Sequence, residues 1–189
     1  MQQQILDFWF GASGEPSHGE SRDEWFRKDP AFDATIAARF GEPMREALGG
    51  GLESWSSSPR GSLALVILLD QFTRNVYRDT PQAFSGDRRA LAVAAAAVDR
   101  NDDEMLIPVE RWFLYMPFVH AEDEQAQKRS LELFTRLRDQ TGLAEPLLWA
   151  EKHAAVIRRF GRYPHRNPFL GRSSTPEEQA FLREPGSRF

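Results

Sequence analysis

Cysteine is absent from the 189 residues, which excludes disulfides, thiolate metal sites and a cysteine nucleophile and makes the reducing cytoplasm the expected compartment. Long apolar runs are missing as well. The longest, Leu63 to Leu69, is far short of the roughly 18 residues of a membrane span. The opening residues Met1 to Phe8 have neither the basic nor the apolar region of a signal peptide, so no membrane partner is expected. Lysine is scarce: three lysines stand against 21 arginines, and this bias discounts any single arginine-rich segment. Neither sign of charge dominates, since 24 basic and 28 acidic residues leave a net charge of −4. With no global field and no docking motif, nucleic acid is not an expected partner. There is no H-E-x-x-H spacing and no G-x-S-x-G elbow, so neither a metal nor a serine-hydrolase nucleophile is expected, and no cofactor is implied.

Alternating β-branched runs and Asn-Gly hairpin turns are also lacking. Apolar residues instead recur at helical spacing between helix punctuation marks, which predicts an all-α fold, a single helical domain over 1–189 built as a bundle or solenoid of antiparallel helix pairs. The first helix is expected over Gln2 to Phe10, stopped by Gly11. Ser21 to Glu24 reads as a capping box before Trp25 and Phe26. Asp29-Pro30 starts a helix carrying Ile36 and Phe40, with Gly41 as its expected end. Ser58-Pro59 opens the helix through Leu63 to Leu69, which is apolar on all sides and therefore expected at the centre of the molecule. An Ala-rich helix follows over Asp87 to Arg100. Pro108 starts another that Pro117 is expected to stop, then come helices over Glu122 to Gln140 and Pro146 to Phe160. Thr175-Pro176-Glu-Glu178 caps a short last one.

Polar residues that could carry chemistry fall in three places. The central apolar helix abruptly presents Asp70, Gln71, Arg74 and Asn75, where Asp70 and Arg74 are i, i+4 neighbours suited to a charge-assisted pair, and Gln71 with Asn75 to a second. This is either a structural network at a helix end or part of a ligand site. His120 follows an aromatic run and precedes Glu122 and Asp123; the acids suit a helix N-terminus, while a histidine beside carboxylates suits acid–base work. His153 lies on an apolar helical stripe, where a hydrogen-bonded core role competes with ligand contact. From Arg158 to Arg172 run five arginines and His165 without an acid. Arginine favours bidentate recognition of carboxylate or phosphate, and a helix C-terminus favours cations in its own right. Such a loop needs carboxylates from elsewhere, so the segment Tyr163 to Asn167 is expected to fold back onto Asp70–Asn75 and His120–Asp123.

Across nearly its whole length the chain resembles the uncharacterised bacterial proteins of domain-of-unknown-function family 924, set among tetratricopeptide-like all-α folds. The resemblance rests on Ile5-Leu-Asp-Phe-Trp-Phe-Gly11, Leu63 to Arg78 with its Leu-Asp-Gln-Phe-Thr-Arg-Asn core, Phe113 to Asp123, Phe160 to Asn167 and Leu170 to Ser174. Departures from the family pattern are Thr73 for proline, Ala121 for serine and Tyr163 for phenylalanine; Ala121 removes a hydroxyl beside His120. The resemblance implies a fold and no activity. It also implies that Asp70, Arg74, Asn75, His120, Glu122, His165, Arg166 and Asn167 belong to signature segments.

Three functions are compatible with these residues. The leading one is binding of a small anionic molecule or a peptide carboxylate, with Arg74, Arg162 and Arg166 holding the anion and His120, His153 and His165 lending hydrogen bonds beside Asp70, Asn75 and Asn167. The second is a hydrolase-type enzyme using His120 or His165 with Glu122 or Asp123 as acid and base. The third is a tetratricopeptide-like interaction scaffold. The oligomeric state is not legible.

Overall fold

The computed structural model describes residues 1–187, and these residues are all-α, without a strand. Helix α1 (Gln2–Phe10) buries Ile5, Leu6, Trp9 and Phe10 and ends at Gly11, whose φ of 85° suits a residue without a Cβ. The expected capping box at Ser21 forms no cap. A single 3₁₀ turn, Asp23–Trp25, stands there instead, held by the Trp25 indole donating to the Trp9 carbonyl at 3.0 Å.

Helix α2 (Pro30–Gly49) starts as the sequence predicts, with the Asp29 carboxylate accepting from the Ala31 and Phe32 amides. It does not end at Gly41. It passes through Gly41 and Pro43 to Gly50, at φ 93°. Ile36, Phe40, Met44 and Ala47 continue one buried stripe past both residues, so packing outweighs the local helix penalties. The same holds for α6 (Pro108–His120), which continues through Pro117 with nearly every residue from Val109 onward buried.

Helix α3 (Pro59–Val66), capped by Ser58, runs into a π-helical turn, Ile67–Phe72, and then into the one-turn helix α4 (Thr73–Val76). Leu63 to Leu69 are no more than 2% exposed, which makes this the central helix expected from its pattern. It packs against α1, α5 (Asp87–Asp99) and α6, and the π turn packs against α2. At the π turn the Thr73 hydroxyl donates to the Leu69 carbonyl at 2.9 Å and Arg74 Nη1 to the Asp70 carbonyl at 2.7 Å. Side chains thereby add donors to main-chain acceptors of the widened turn. Gly86 lies hard against the same turn: a Cβ on it would be 2.1 Å from the Leu69 carbonyl oxygen.

Short connections fold α6, α7 (Glu124–Thr141) and α8 (Glu145–Phe160) back on one another. Asp123 caps α7 by accepting from the Ala126 amide at 2.8 Å. After Gly161 the arginine-rich loop packs Tyr163 against Val156 and Ile157, and α9 (Pro176–Phe181) opens with the Thr175–Glu178 capping box read from sequence. No helix among the described residues is long and apolar enough to cross a membrane.

Candidate functional site

The π turn sets Asp70 inside the core, where it is 0% exposed. A buried carboxylate must be paired. The i, i+4 partner expected from sequence is present, with Arg74 Nη1 donating to Asp70 Oδ1 at 3.0 Å. Gln71 Nε2 donates to Oδ2 at 2.6 Å. The remaining partner arrives from the end of α6: His120 Nδ1 lies 2.8 Å from Oδ1 and 2.9 Å from Oδ2. Burial works against the charge of Asp70, but Arg74 and then His120 overcome it and hold the carboxyl well below its usual range. An anionic carboxylate only accepts, so His120 carries its proton on Nδ1 and leaves the Nε2 lone pair directed away from Asp70. Burial, followed by the charge of Arg74, lowers the His120 pKa and keeps the ring neutral near pH 7.

Arg74 bridges onward. Its guanidinium meets Asp87, in the first turn of α5, at 2.9 and 3.0 Å. Arg166 reaches the same carboxylate at 3.2 Å and is stacked between Phe84 and Tyr163, 4.8 and 4.5 Å from the ring centroids. Arg166 is 5% exposed, and its Nε–H finds no acceptor among the described residues. Burial first, and Arg74 second, lower its pKa. His153 donates from Nδ1 to the Trp149 carbonyl at 2.8 Å, and its ring stands 6.4 Å from that of His120 and 5.6 Å from Tyr163. The ring of His165 also stands beside Tyr163, at 5.7 Å. Burial pushes His153 and His165 each down to about 3, assisted in both by the charge of Arg166.

Of the residues singled out from sequence, the structure therefore brings together Asp70, Arg74, His120, His153, His165 and Arg166. It takes the others elsewhere. Asn75 does not meet Gln71; its amide donates to Asp33 at 2.7 Å, beside Arg78 on the same carboxylate. Arg162 pairs with Glu178 at 2.6 and 2.9 Å, and its hydrogen bond holds that carboxyl down to about 2. Asn167 joins the same group, donating to Ser174 and Glu178. Asp123 is the α7 cap. Glu122 does not pair with His120: it accepts from the Tyr163 amide at 2.8 Å and from Arg172 at 2.6 and 2.9 Å, clasping the loop to the end of α6. The Tyr163–Asn167 segment thus lies against the His120–Asp123 turn, and it meets the Asp70 segment through Asp87.

Sequence reasoning missed Asp87 and Phe84, and it counted Arg172 in the arginine run without assigning it the Glu122 partner it has. Asp87 had a local signal, but as an acid in a first helical turn it reads as dipole compensation. Among the described residues no three histidine or acidic side chains converge to hold a metal ion. Two surface hollows of about 620 and 500 Å³ lie elsewhere, one along α7 beside Arg136 and one between His18, Trp112 and Leu143. The polar cluster lies near the surface, its side-chain exposure falling from 20% at Arg74 and 19% at Asp87 through 11% at His120 and 6% at Arg166 to 0% at Asp70.

With this geometry in place, comparisons with known proteins narrow the setting. The family described as "Bacterial protein of unknown function (DUF924)" matches residues 5–186. A solved structure of a protein of unknown function from Agrobacterium tumefaciens is similar at 38% identity over 96% of each chain, with a TM-score of 0.84. No curated protein matches the chain.

Proposed function

Because the chain belongs to the DUF924 family of bacterial proteins of unknown function, we propose its role from its own geometry: it binds a small anionic molecule, or the carboxylate end of a peptide, at Arg74 and Arg166. The observation that carries this reading is the Arg166 guanidinium. It is 5% exposed, retains an Nε–H without an acceptor among the described residues and shares the Asp87 carboxylate with a second cation. A buried donor left unmet costs about 1–3 kcal/mol, and the oxygen of a carboxylate or phosphate is the natural group to meet it. His120 Nε2 and the neutral rings of His153 and His165 supply the polar wall beside the anion. Stacking on Phe84 and Tyr163 fixes the plane of the guanidinium, which favours planar over spherical anions. A cytoplasmic setting agrees with the lack of cysteine.

Thermal melts with phosphate, succinate and a short peptide, the peptide with and without C-terminal amidation, test the proposal. A ligand at 100 times its Kd raises stability by about 2.7 kcal/mol. Arg166→Ala should keep the helical circular dichroism spectrum and lose about 1.5–3 kcal/mol of binding, the scale of a hydrogen bond to a charged group. Equal stabilisation of wild type and Arg166→Ala, or none by any member of the panel, overturns it.

A further inference from the structure

We propose that His120 is a catalytic general base that activates water against the ester carbonyl of a small carboxylate-bearing substrate. This rests on the anion-binding reading above, since Arg166 and Arg74 are what would hold the carboxylate.

The ring of His120 is fixed as few surface histidines are. Both Asp70 oxygens face Nδ1, at 2.8 and 2.9 Å, and Gln71 and Arg74 tie down that carboxylate in turn. Orientation and tautomer are thereby set, which is the service a buried carboxylate gives a catalytic imidazole. Nε2 makes no hydrogen bond among the described residues, and the side chain keeps 11% of its surface exposed. His153, one ring away, also commits Nδ1 to a partner, but that partner is the Trp149 main-chain carbonyl, which carries no charge to stabilise an imidazolium.

The surroundings also say what His120 would deprotonate. Residue 121 is alanine and the chain has no cysteine. The hydroxyls of the same network are spent on carbonyls, Tyr163 on Val119 and Thr73 on Leu69. No side-chain nucleophile is at hand among the described residues, so the nucleophile is water. In the step, Nε2 takes a proton from water as the water oxygen bonds to the carbonyl carbon and the C=O electron pair moves onto oxygen. When that pair returns, the C–O bond to the alcohol breaks and the imidazolium gives its proton to the departing oxygen. Acid and alcohol leave, and His120 is neutral again. Asp70 is a positioning residue in this scheme, stabilising the imidazolium through Nδ1. The charged and titratable groups around His120 are Asp70 and Arg74 from the π turn and α4, Asp87 from α5, His153 from α8 and His165 from the loop.

The experiment follows 4-nitrophenolate release from mono-4-nitrophenyl succinate and from the neutral 4-nitrophenyl acetate, with succinate melts in parallel. Wild type should hydrolyse the succinyl ester in preference to the acetyl ester. His120→Asn should lose about 10²–10⁴-fold in kcat, the span of general-base catalysis, while succinate still raises its Tm. Arg166→Gln should raise KM, and Asp70→Asn should lower kcat and displace its pH profile. Nitrogen-15 NMR of wild type at pH 7 should show His120 protonated on Nδ1 alone, a readout independent of how any variant folds. Equal hydrolysis by wild type and His120→Asn with succinate still bound, or a proton found on Nε2, overturns the base and leaves anion binding standing. Failure of succinate and phosphate to bind wild type overturns both.

Discussion

Two buried carboxylates, Asp70 and Asp103, each 0% exposed, anchor two polar clusters that differ in what surrounds them. Asp103, in the 3₁₀ turn after α5, receives the Tyr115 hydroxyl and Arg136 on the same oxygen. Arg111 extends this cluster by donating to the Tyr115 oxygen at 3.3 Å and to Gln140 at 2.7 Å. Burial, and then the bond to Asp103, raise the Tyr115 pKa, so the phenol stays protonated at any physiological pH. That cluster joins the turn after α5 to α6 and α7 and has no histidine in it. Around Asp70 stand neutral histidines and two arginines. Both clusters contain an arginine whose Nε lacks an acceptor among the described residues, yet the Arg136 side chain is 35% exposed and Arg166 only 6%. A buried carboxylate with an arginine is therefore a staple in itself. What distinguishes the Asp70 group is, among the described residues, an imidazole with an uncommitted Nε2 and a cation with an unmet Nε–H.

The largest effect expected from breaking this contrast is at Asp70. Asp70→Ala or Arg74→Ala alone should cost about 3–5 kcal/mol, because the survivor is left as an uncompensated buried charge, and the double variant should cost less than the sum. Simple additivity in a denaturant double-mutant cycle would show the pair to be uncoupled.

Acid separates the clusters next. His153 and His165 sit at about 3 in the folded protein against an ordinary 6.5. Between those values the unfolded chain binds protons that the folded chain refuses, so stability is full above about pH 6.5 and declines as pH falls toward 3. At pH 5 the loss should be about 2 kcal/mol for each histidine. Urea melts at pH 7 and pH 5 check this, and His153→Gln should make the difference between the two smaller.

At the other cluster, Asp103→Asn should cost about 1–3 kcal/mol for weakened hydrogen bonds to a buried charge and leave succinate or phosphate binding unchanged. A change in anion affinity would join the two regions functionally. The smallest effect is expected at Asn75, 6% exposed and bonded to Asp33. Asn75→Ala should cost about 1 kcal/mol, again with binding unaltered, since its side chain turns away from Arg74.

What sequence revealed follows from the range of each interaction. The all-round apolar pattern of Leu63 to Leu69 and the i, i+4 relation of Asp70 to Arg74 are local, and both are present as read. Gly41 and Pro117 are misleading stops because the stripe beyond each, Met44 and Ala47 in one case and Phe118 to His120 in the other, is buried tightly enough to carry the helix through. The partner of His120 is the instructive error. Glu122 and Asp123 adjoin it in the chain, but the end of α6 and the cap of α7 turn both away, and Asp70, 50 residues earlier, takes their place. Asp87 and Glu178 owe their roles to contacts 79 and 16 residues distant, which no periodicity encodes.

The closeness of Gly86 to the Leu69 carbonyl bears on how the site can move. Asp70 belongs to the π turn and the doubly paired Asp87 to the head of α5, and at Gly86 these two pieces touch through main chain with no side chain between them. A joint of that kind has no rotamers to absorb displacement. The π turn and the head of α5 therefore shift together, and the span from Asp70 to Asp87 across Arg74 is set by the backbone rather than by side-chain rotamers.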